Sequence, residues 1–519
     1  SKNSNWMYQA LRDNLQAVAH MKSQLVTKHV VKGECRYFQE FLTVDKEASN
    51  YFRPLMDAYG KSLLNQEAYV KDIMKYAEPI EIGRVDCDAL EEATHRVILY
   101  LQMKGFRTCS YVTDEQAIFK ALNMKAAVGA MYGGKKKEYF QDFTDKDKED
   151  IVMQSCLRLY KGELGIWNGS LKAELRCKEK IMANKTRTFT AAPLDTLLGG
   201  KVCVDDFNNQ FYSKNIECCW TVGMTKFYGG WNKLLRSLPD NWIYCDADGS
   251  RFDSSLTPYL INAVLAIRAT YMEDWDIGYQ MLQNLYTEIV YTPISTPDGT
   301  VVKKFRGNNS GQPSTVVDNS LMVVLAMHYA FVKECIDFEE IDECCKFFVN
   351  GDDLLIAVNP EKEDMLDRFS DHFSSLGLNY DFSSRTKHKE ELWFMSHRGL
   401  EIEGMYIPKL EEERVVSILQ WDRAEQPEHR LEAICAAMIE AWGYPDLIHQ
   451  IRRFYSWLLE KQPFATLAEE GKAPYIASMA LRKLYLDRTV DNSELHEFRK
   501  LFVELDDEFE CGTYEVHHQ

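Results

Sequence analysis

Residues 346–358 read Lys-Phe-Phe-Val-Asn-Gly-Asp-Asp-Leu-Leu-Ile-Ala-Val. Two apolar, β-prone runs flank the turn Asn350-Gly351-Asp352-Asp353, which is the pattern of a tight hairpin. Gly351 supplies the positive-φ freedom such a turn needs. Two adjacent carboxylates at its tip repel each other, and nothing nearby in sequence is placed to neutralise them. Such a pair is comfortable in free solvent or around a divalent cation. Taken alone, the stretch is also the composition of an ordinary solvated turn, so its meaning depends on what precedes it.

The chain has 519 residues, 45% hydrophobic and 12% aromatic, enough for a large core divided among several subdomains. Its net charge of −18 and pI near 5.3 argue against a protein that coats nucleic acid with its whole surface. A basic channel inside an acidic shell remains compatible. The 14 cysteines form no C-x-x-C pair, and four of them lie in the doublets Cys218-Cys219 and Cys344-Cys345. That usage predicts a reducing compartment without zinc-site spacing or a disulfide framework. No signal peptide is read. The longest apolar stretch, 321–332, contains His328 and is shorter than the ~20 residues of a membrane span. The expectation is a soluble, intracellular protein that meets membranes through partners.

The first third reads as mainly helical. Residues 88–104 predict a helix with Asp88 as N-cap, Glu91 completing a capping box, and Gly105 just past the end. Residues 124–140 are glycine-rich and basic, with Lys125, Gly129, Gly133, Gly134, Lys135, Lys136 and Lys137. A glycine loop beside lysines lets backbone and ammonium groups approach phosphates. Residues 171–189 read LKAELRCKEKIMANKTRTF, in which Lys172, Arg176, Lys178, Lys180, Lys185 and Arg187 face only Glu174 and Glu179. If the segment is extended, Arg176, Lys178 and Lys180 share one face. Such a row suits a triphosphate or a nucleic-acid backbone, with Arg187 offering a bidentate fork.

A β-prone lead-in, Trp242-Ile243-Tyr244, ends in Asp246 and Asp248, and Asp253 follows five residues after Asp248. Thr257-Pro258 then predicts a helix with Pro at its first position. An aspartate at a strand's end is well placed to share a cation with a second aspartate-bearing hairpin. Residues 307–319, GNNSGQPSTVVDN, form a polar loop that enters an apolar helix carrying Thr315 and Asn319 one turn apart. A Thr and an Asn on such a helix are costly unless hydrogen-bonded.

Collectively these segments resemble motifs of the viral RNA-dependent RNA polymerases. Asp248 with Asp253, Ser310-Gly311 with Thr315 and Asn319, and Gly351-Asp352-Asp353 are similar to motifs A, B and C, in that order. Residues 172–187 look like motif F, 124–140 like motif G, and 394–398 (Phe-Met-Ser-His-Arg) like motif E, the primer grip. The local wording (CDADGS, GNNSGQPSTVVDN, NGDDLLIA) is that of the potyviral members. Ser1 and Gln519 suit excision from a polyprotein by a protease cutting after Gln.

The resemblance implies an α+β fold, the closed right hand of fingers, palm and thumb, with a small antiparallel palm sheet and a helical thumb. The boundaries expected are an N-terminal extension and fingers over 1–205, palm with motif A over 206–268, and a fingers insertion over 269–300. Palm motifs B to E then occupy 301–400 and the thumb 401–519, with thumb helices at 429–442, 445–461 and 473–486 and no strand. It implies two Mg²⁺ ions (Mn²⁺ as substitute) on Asp248 and Asp352, with Asp353 secondary and Asp246 the local rival of Asp248. Lys172, Arg176, Lys180, Lys185 and Arg187 are expected to grip nucleoside triphosphate, and Asp253, Ser310, Gly311, Thr315 and Asn319 to read its sugar. Lys387 and Lys389 compete for the motif D general acid. RNA contacts are expected from Lys125, Gly129, Lys135, Lys136, Lys137, Lys178, His397 and Arg398.

The partners implied are RNA template and product, nucleoside triphosphates, the viral genome-linked protein and its protease precursor, and host translation factors and chaperones, with no direct membrane insertion. Membrane-associated replication complexes in the host cytoplasm, and the nucleus, are the implied sites of action. Lys135 to Lys137 would serve either nuclear import or template binding. A reverse transcriptase usually has an aromatic blocking the sugar pocket, whereas Asp253 and Asn319 are polar. A two-metal nuclease would need neither the Ser310-Gly311 loop nor the cationic segment. A non-enzymatic, inclusion-forming scaffold is the third rival, and no separate module in the sequence speaks for it.

Overall fold

The protein is described by a computed structural model. It describes residues 14–22, 25–79, 84–120, 142–273 and 275–488, together with Met7 and Leu11. At its centre lies a small antiparallel sheet whose middle strand is Ile243–Ser250. On one side this strand pairs with Asp353–Val358, which the turn joins to Cys345–Asn350. On its other side lie Asn379–Asp381 and Arg385–Thr386. The apolar lead-ins read from sequence are the reason: Tyr244, Cys245, Phe348, Leu355 and Ile356 are all buried.

Behind the sheet runs the helix Thr315–Lys333, packed against the helices Cys87–Met103, Pro258–Thr270 and Leu366–Ser375. By length and composition this 19-residue helix could cross a membrane, which corrects the shorter span read from residues 321–332. It begins six residues earlier, because Thr315, Asp318 and Asn319 are accommodated by buried partners, and 83% of its apolar window is buried within the protein. It is therefore the core helix of this fold. The helix expected at 88–104 starts instead after Asp86, whose carboxylate accepts the Ala89 N–H at 3.0 Å. Asp88 lies in the first turn, where its charge favours the helix N-terminus. Thr257 precedes the helix Pro258–Thr270 as expected.

A second sheet runs Leu15–His20, Thr300–Lys304, Pro293–Ser295, Trp167–Leu171, Thr188–Ala191 in spatial order. It brackets the cationic segment: Lys172 follows one strand, Arg187 precedes another, and the Lys172 N–H donates to the Arg187 carbonyl at 2.9 Å. The same sheet delivers Thr300–Lys304 into the loop before the core helix.

The N-terminal chain closes the hand. The helices Arg36–Val44 and Lys46–Phe52 bury Phe38, Phe41 and Phe52 in one core with the C-terminal helices Pro427–Ala441, Pro445–Leu458 and Ser478–Leu486. Phe38 meets Phe52 and Phe454 edge-on, each at 5.1 Å between ring centres. Within the N-terminal extension and fingers expected over 1–205, the aromatic face at 38–52 is thus satisfied by the C-terminal helices. The thumb also carries strands: Met405–Lys409 pairs with Arg398–Ile402, and Trp421–Asp422 pairs with Gly33–Glu34. Tyr59–Lys61 then pairs with Leu175–Cys177, so one stretch of chain links the thumb to the cationic segment.

Truncating Phe38 to Ala is expected to cost about 3–5 kcal/mol in denaturant unfolding, the usual range for a fully buried aromatic. A loss below ~1 kcal/mol would show that this aromatic contact is not what holds the N-terminal chain to the thumb.

Candidate active site

The sheet register brings the carboxylates together. Leu354 pairs with Ala247, so one step further Asp353 faces Asp248, and Asp381 pairs with Asp248 from the other side. Asp352 occupies the two-residue turn beside Gly351, whose φ of 57° is the left-handed conformation expected there. Three contacts fix the turn. The Gly351 N–H donates to Ser320 Oγ at 2.8 Å, Tyr380 OH donates to the Asp352 carbonyl at 2.5 Å, and Asn350 Nδ2 donates to Thr221 Oγ1 at 3.0 Å. Asp246, the rival of Asp248, accepts the Trp393 N–H at 2.8 Å.

Burial and then the charges of Asp353, Asp253 and Asp248 push the Asp352 carboxyl well above the usual carboxylate range. Burial and Asp248 push Asp353 up to about 7, against a stabilising Met395 N–H. Burial, Asp246 and Asp381 raise Asp248, opposed by the Gly249 N–H and by Lys180. Asp248 is nevertheless exposed and Asp352 and Asp353 are half-exposed, so the group is recessed among protein atoms yet open on one side. Hard oxygen donors that disfavour one another's ionisation fit a divalent cation. Among the described residues no three ligating side chains enclose a cation by themselves. Mg²⁺ takes one or two carboxylates together with waters and substrate phosphates, and two of these carboxylates would suffice to hold it.

The sugar-reading residues expected from sequence divide into two sets. Asn319 Nδ2 donates to Asp253 Oδ1 at 3.1 Å, and Asn308 Nδ2 donates to Asn319 Oδ1 at 2.9 Å. Burial raises the Asp253 carboxyl, against the pull of Lys75, Asn319, Lys172 and Lys304. Thr315 turns away: its hydroxyl serves the carbonyls of Asn309, Ser310 and Gln312 at 3.0–3.2 Å. Ser310 Oγ accepts the Thr190 N–H at 3.2 Å, and the Gly311 N–H donates to the Thr190 carbonyl at 3.0 Å. A Cβ at Gly311 would sit 2.5 Å from that carbonyl. These three residues build the loop; Asp253 and Asn319 form a pair beside the carboxylates.

The cationic segment is not one extended row, which corrects the face expected for Arg176, Lys178 and Lys180. The strand Leu175–Cys177 ends where the helix Lys178–Met182 begins, leaving Lys178 and Lys180 exposed. Arg176 donates to the Lys185 carbonyl at 2.9 Å. Arg187 forms a fork with the buried Glu174 at 2.8 and 2.5 Å, so its bidentate face is engaged within the protein. Lys172 lies over the Phe189 ring, and Lys185 is exposed. Glu174 itself is held by Arg187, Lys172 and Arg176, which outweigh burial and keep its carboxyl below the usual range.

Lys389 is buried, donating to the Leu238 carbonyl at 2.6 Å and to Asp240 at 2.8 Å. Thr386 pairs with Tyr244, so Lys387 and Lys389 both lie at the end of the central strand remote from Asp248. The four residue steps from Tyr244 to Asp248 span about 13 Å of strand. Of the two general-acid candidates, Lys389 is engaged by Asp240 and the Leu238 carbonyl, whereas Lys387 is exposed. His397 is corrected as an RNA contact: it is buried, with Nδ1 2.6 Å from the Met395 carbonyl and Nε2 3.0 Å from Lys226 Nζ. Lys226 in turn pairs with Glu440 of the thumb at 2.7 Å. Arg398 is exposed and stacks over Trp393. Lys125, Gly129 and Lys135 to Lys137 lie outside the described residues.

Comparison with known proteins places this geometry. A family model for "Viral RNA-dependent RNA polymerase" matches residues 38–459. The chain belongs to that family. It is 63% identical over 520 residues to the genome polyprotein of Lettuce mosaic virus (strain 0 / isolate French), covering 100% of this chain. It is 62% identical over 515 residues to that of Turnip mosaic virus (strain Japanese) and over 513 to that of Plum pox potyvirus (strain SK 68). The chain spans 16% of the length of these relatives. The solved Sicinivirus 3Dpol RNA-dependent RNA polymerase is similar in fold, with a TM-score of 0.67 at 13% identity, covering 96% of this chain and 100% of that one. The family and the likeness to potyviral polyproteins agree with the resemblance read from the motifs.

Several residues of this RNA-dependent RNA polymerase escaped the sequence reading. Ser320 and Tyr380 hold the turn, but a serine in an apolar helix and a tyrosine in a short strand look like core. Behind the loop, Arg268 meets Asp318 at 2.7 Å, Asn208 at 2.9 Å and Ser314 at 2.5 Å, all buried. The signal available was an aspartate and an arginine inside apolar helices, where unpaired charge is costly.

Removing Arg187 takes the bidentate partner from buried Glu174 and leaves it only the longer 3.8 Å contact with Arg176 and the charge of Lys172, so Arg187→Ala is expected to lose both melting temperature and triphosphate use. Adding Glu174→Gln should recover much of the stability without recovering kcat/KM. Recovery of kcat/KM by the double variant would show that Arg187 acts only by neutralising Glu174.

Proposed function

We propose that this chain extends RNA on an RNA template by nucleotidyl transfer at the tip of the Cys345–Val358 hairpin. Asp248 and Asp352 would hold two divalent cations, with Asp353 assisting. The observation that carries this reading is the group of carboxyls raised by burial and by neighbouring carboxylates, open to solvent on one side and, among the described residues, without a cationic side chain hydrogen-bonded to it. Bound Mg²⁺ or Mn²⁺ supplies Lewis-acid charge to the attacking 3′-oxygen and to the pyrophosphate that leaves.

The protein's own residues then bind and orient. Lys180 is the cation whose charge already reaches Asp248. With Lys172, Lys185, Arg176 and Arg187 it would hold the triphosphate, and the exposed Lys178 and Arg398 would meet RNA phosphates. Asp253 and Asn319 would read the 2′-hydroxyl of the incoming ribose. A site built to hydrogen-bond a hydroxyl rejects the analogue lacking it, because its own polar groups are left unpaired. That polar pair favours an RNA-making enzyme over a reverse transcriptase.

The likeness to potyviral polyproteins extends the proposal to uridylylation of the genome-linked protein as primer. That protein and its protease precursor would be partners, as would host translation factors and chaperones. Membrane-associated replication complexes of the cytoplasm, reached through partners, and the nucleus are the proposed locations.

Primer extension on an RNA template with ribonucleotides tests the core of this reading. Asp352→Ala is expected to abolish extension while leaving melting and RNA affinity nearly unchanged, and chelation by EDTA should do the same to the parent enzyme. Asn319→Ala, and more severely Asp253→Ala, should narrow the ribo- to deoxyribonucleotide ratio of kcat/KM. Parent-like extension by folded Asp352→Ala would remove the metal assignment, and an unchanged ratio would remove the sugar assignment.

A further inference from the structure

Lys304 ends the strand Thr300–Lys304 and has no exposed surface. Its Nζ meets four backbone carbonyls: Ile289 at 2.5 Å, Val290 at 3.1 Å, Arg306 at 2.8 Å and Gly307 at 3.2 Å. The first two belong to the last turn of the helix Trp275–Val290. Carbonyls there are the negative end of a helix and lack the donors of a continuing turn. The other two open the loop that carries Ser310 and Gly311. Among the described residues no carboxylate is hydrogen-bonded to the amine. Burial pushes it well below the usual lysine range, and Asp253 is the charge that opposes this. Carbonyl oxygens gathered around one cation are how proteins replace the hydration shell of a monovalent ion.

The far side of this cage is the ribose-reading pair. Gly307 has φ of 83°, and a Cβ there would lie 2.5 Å from the Asp253 carbonyl. The Asn308 N–H donates to that same carbonyl at 2.8 Å. Asn308 Nδ2 then holds Asn319, which holds the Asp253 carboxyl. Asn309 Nδ2 returns to the helix end, donating to the Ile289 carbonyl at 3.2 Å and to Thr292 Oγ1 at 2.9 Å. An ammonium in the cage therefore fixes where the loop begins, and the loop's first residues fix Asp253 and Asn319.

We propose that Lys304 is a positioning residue whose ammonium acts as a tethered monovalent cation, setting the geometry with which Asp253 and Asn319 discriminate ribose from deoxyribose. The inference rests on the sugar assignment made above. Lys304→Met keeps the aliphatic stem and removes the charge and donors. It is expected to lower ribonucleotide kcat/KM by roughly tenfold to a hundredfold, the scale of a small misplacement of a reading group. Deoxyribonucleotide kcat/KM should fall less, narrowing the ratio. Lys304→Ala opens the cage to a free ion. Ammonium chloride should restore part of its ratio, and tetramethylammonium chloride at equal ionic strength, too large to enter, should not.

A slowed Lys304→Met with the parent ratio would overturn the proposal, as would equal behaviour of Lys304→Ala in the two salts. Asn319→Ala is measured beside them: if it narrows the ratio and Lys304→Met does not, only the Lys304 inference falls. If neither narrows it, the sugar assignment falls as well. Should the Lys304 variants fail to fold, Asn309→Ala loosens the same helix-to-loop junction while leaving the amine. A narrowing of a few-fold is then expected, and an unchanged ratio overturns the proposal.

Discussion

Repulsion among Asp248, Asp352 and Asp353 is the constraint around which the molecule is arranged. Hydrogen-bond register in the central sheet leaves Asp353 facing Asp248, and the turn adds Asp352. Burial, and then neighbouring carboxylates, raise all three carboxyls, so the group is high in energy when fully charged and without a cation. Such an arrangement persists only where the surrounding structure over-determines it. Here the turn is held from three sides, its backbone by Ser320 of the core helix and Tyr380 of the edge strand and its Asn350 side chain by Thr221. Those contacts hold the turn while leaving the Asp352 and Asp353 side chains half-exposed to a ligand.

The same logic governs the cationic side. Arg187, Arg176 and Lys172 gather around one buried carboxylate, Glu174, which keeps like charges close without a bound triphosphate. Glu174 is tied through its backbone to Ser62, and Ser62 Oγ contacts His29 at 3.1 Å. His29 is neutral at physiological pH, since burial, with Lys61 and Arg423, brings it down to about 4. The chain from His29 to Lys61 thus supports the cationic segment on one end, while the helices from Arg36 to Phe52 anchor in the thumb. Anchoring of the N-terminal helices in the thumb and support of the cationic segment are one structural feature.

How much of this was legible in the sequence follows from the range of each interaction. The hairpin, the strand before Asp248 and the helix after Thr257 are local patterns, and they stand where the sequence puts them. Asp253 and Asn319 were paired through the family resemblance and do meet. What failed was long-range. Arg187 looked free because its partner Glu174 is recruited only when the segment folds back on itself. Lys389 and His397 looked functional as charged residues near motifs, but their partners Asp240, Lys226 and Glu440 come from distant parts of the chain. Lys304 gave no signal at all, since backbone carbonyls have no sequence signature.

The central claim is that the carboxyl group is built to be discharged by divalent cations. Burial and then neighbouring charge raise Asp353 to about 7 and Asp352 well above the usual carboxylate range, so cation binding near neutral pH displaces bound protons. The most direct measurement is therefore proton release on titrating Mn²⁺ into the metal-free enzyme in weak buffer just below neutral pH. Release of a substantial fraction of a proton per chain is expected, shrinking as pH is raised through the Asp353 value of about 7 and dropping in Asp352→Asn and Asp353→Asn. Saturable Mn²⁺ binding with no proton release, or with release unchanged in both variants, would contradict it.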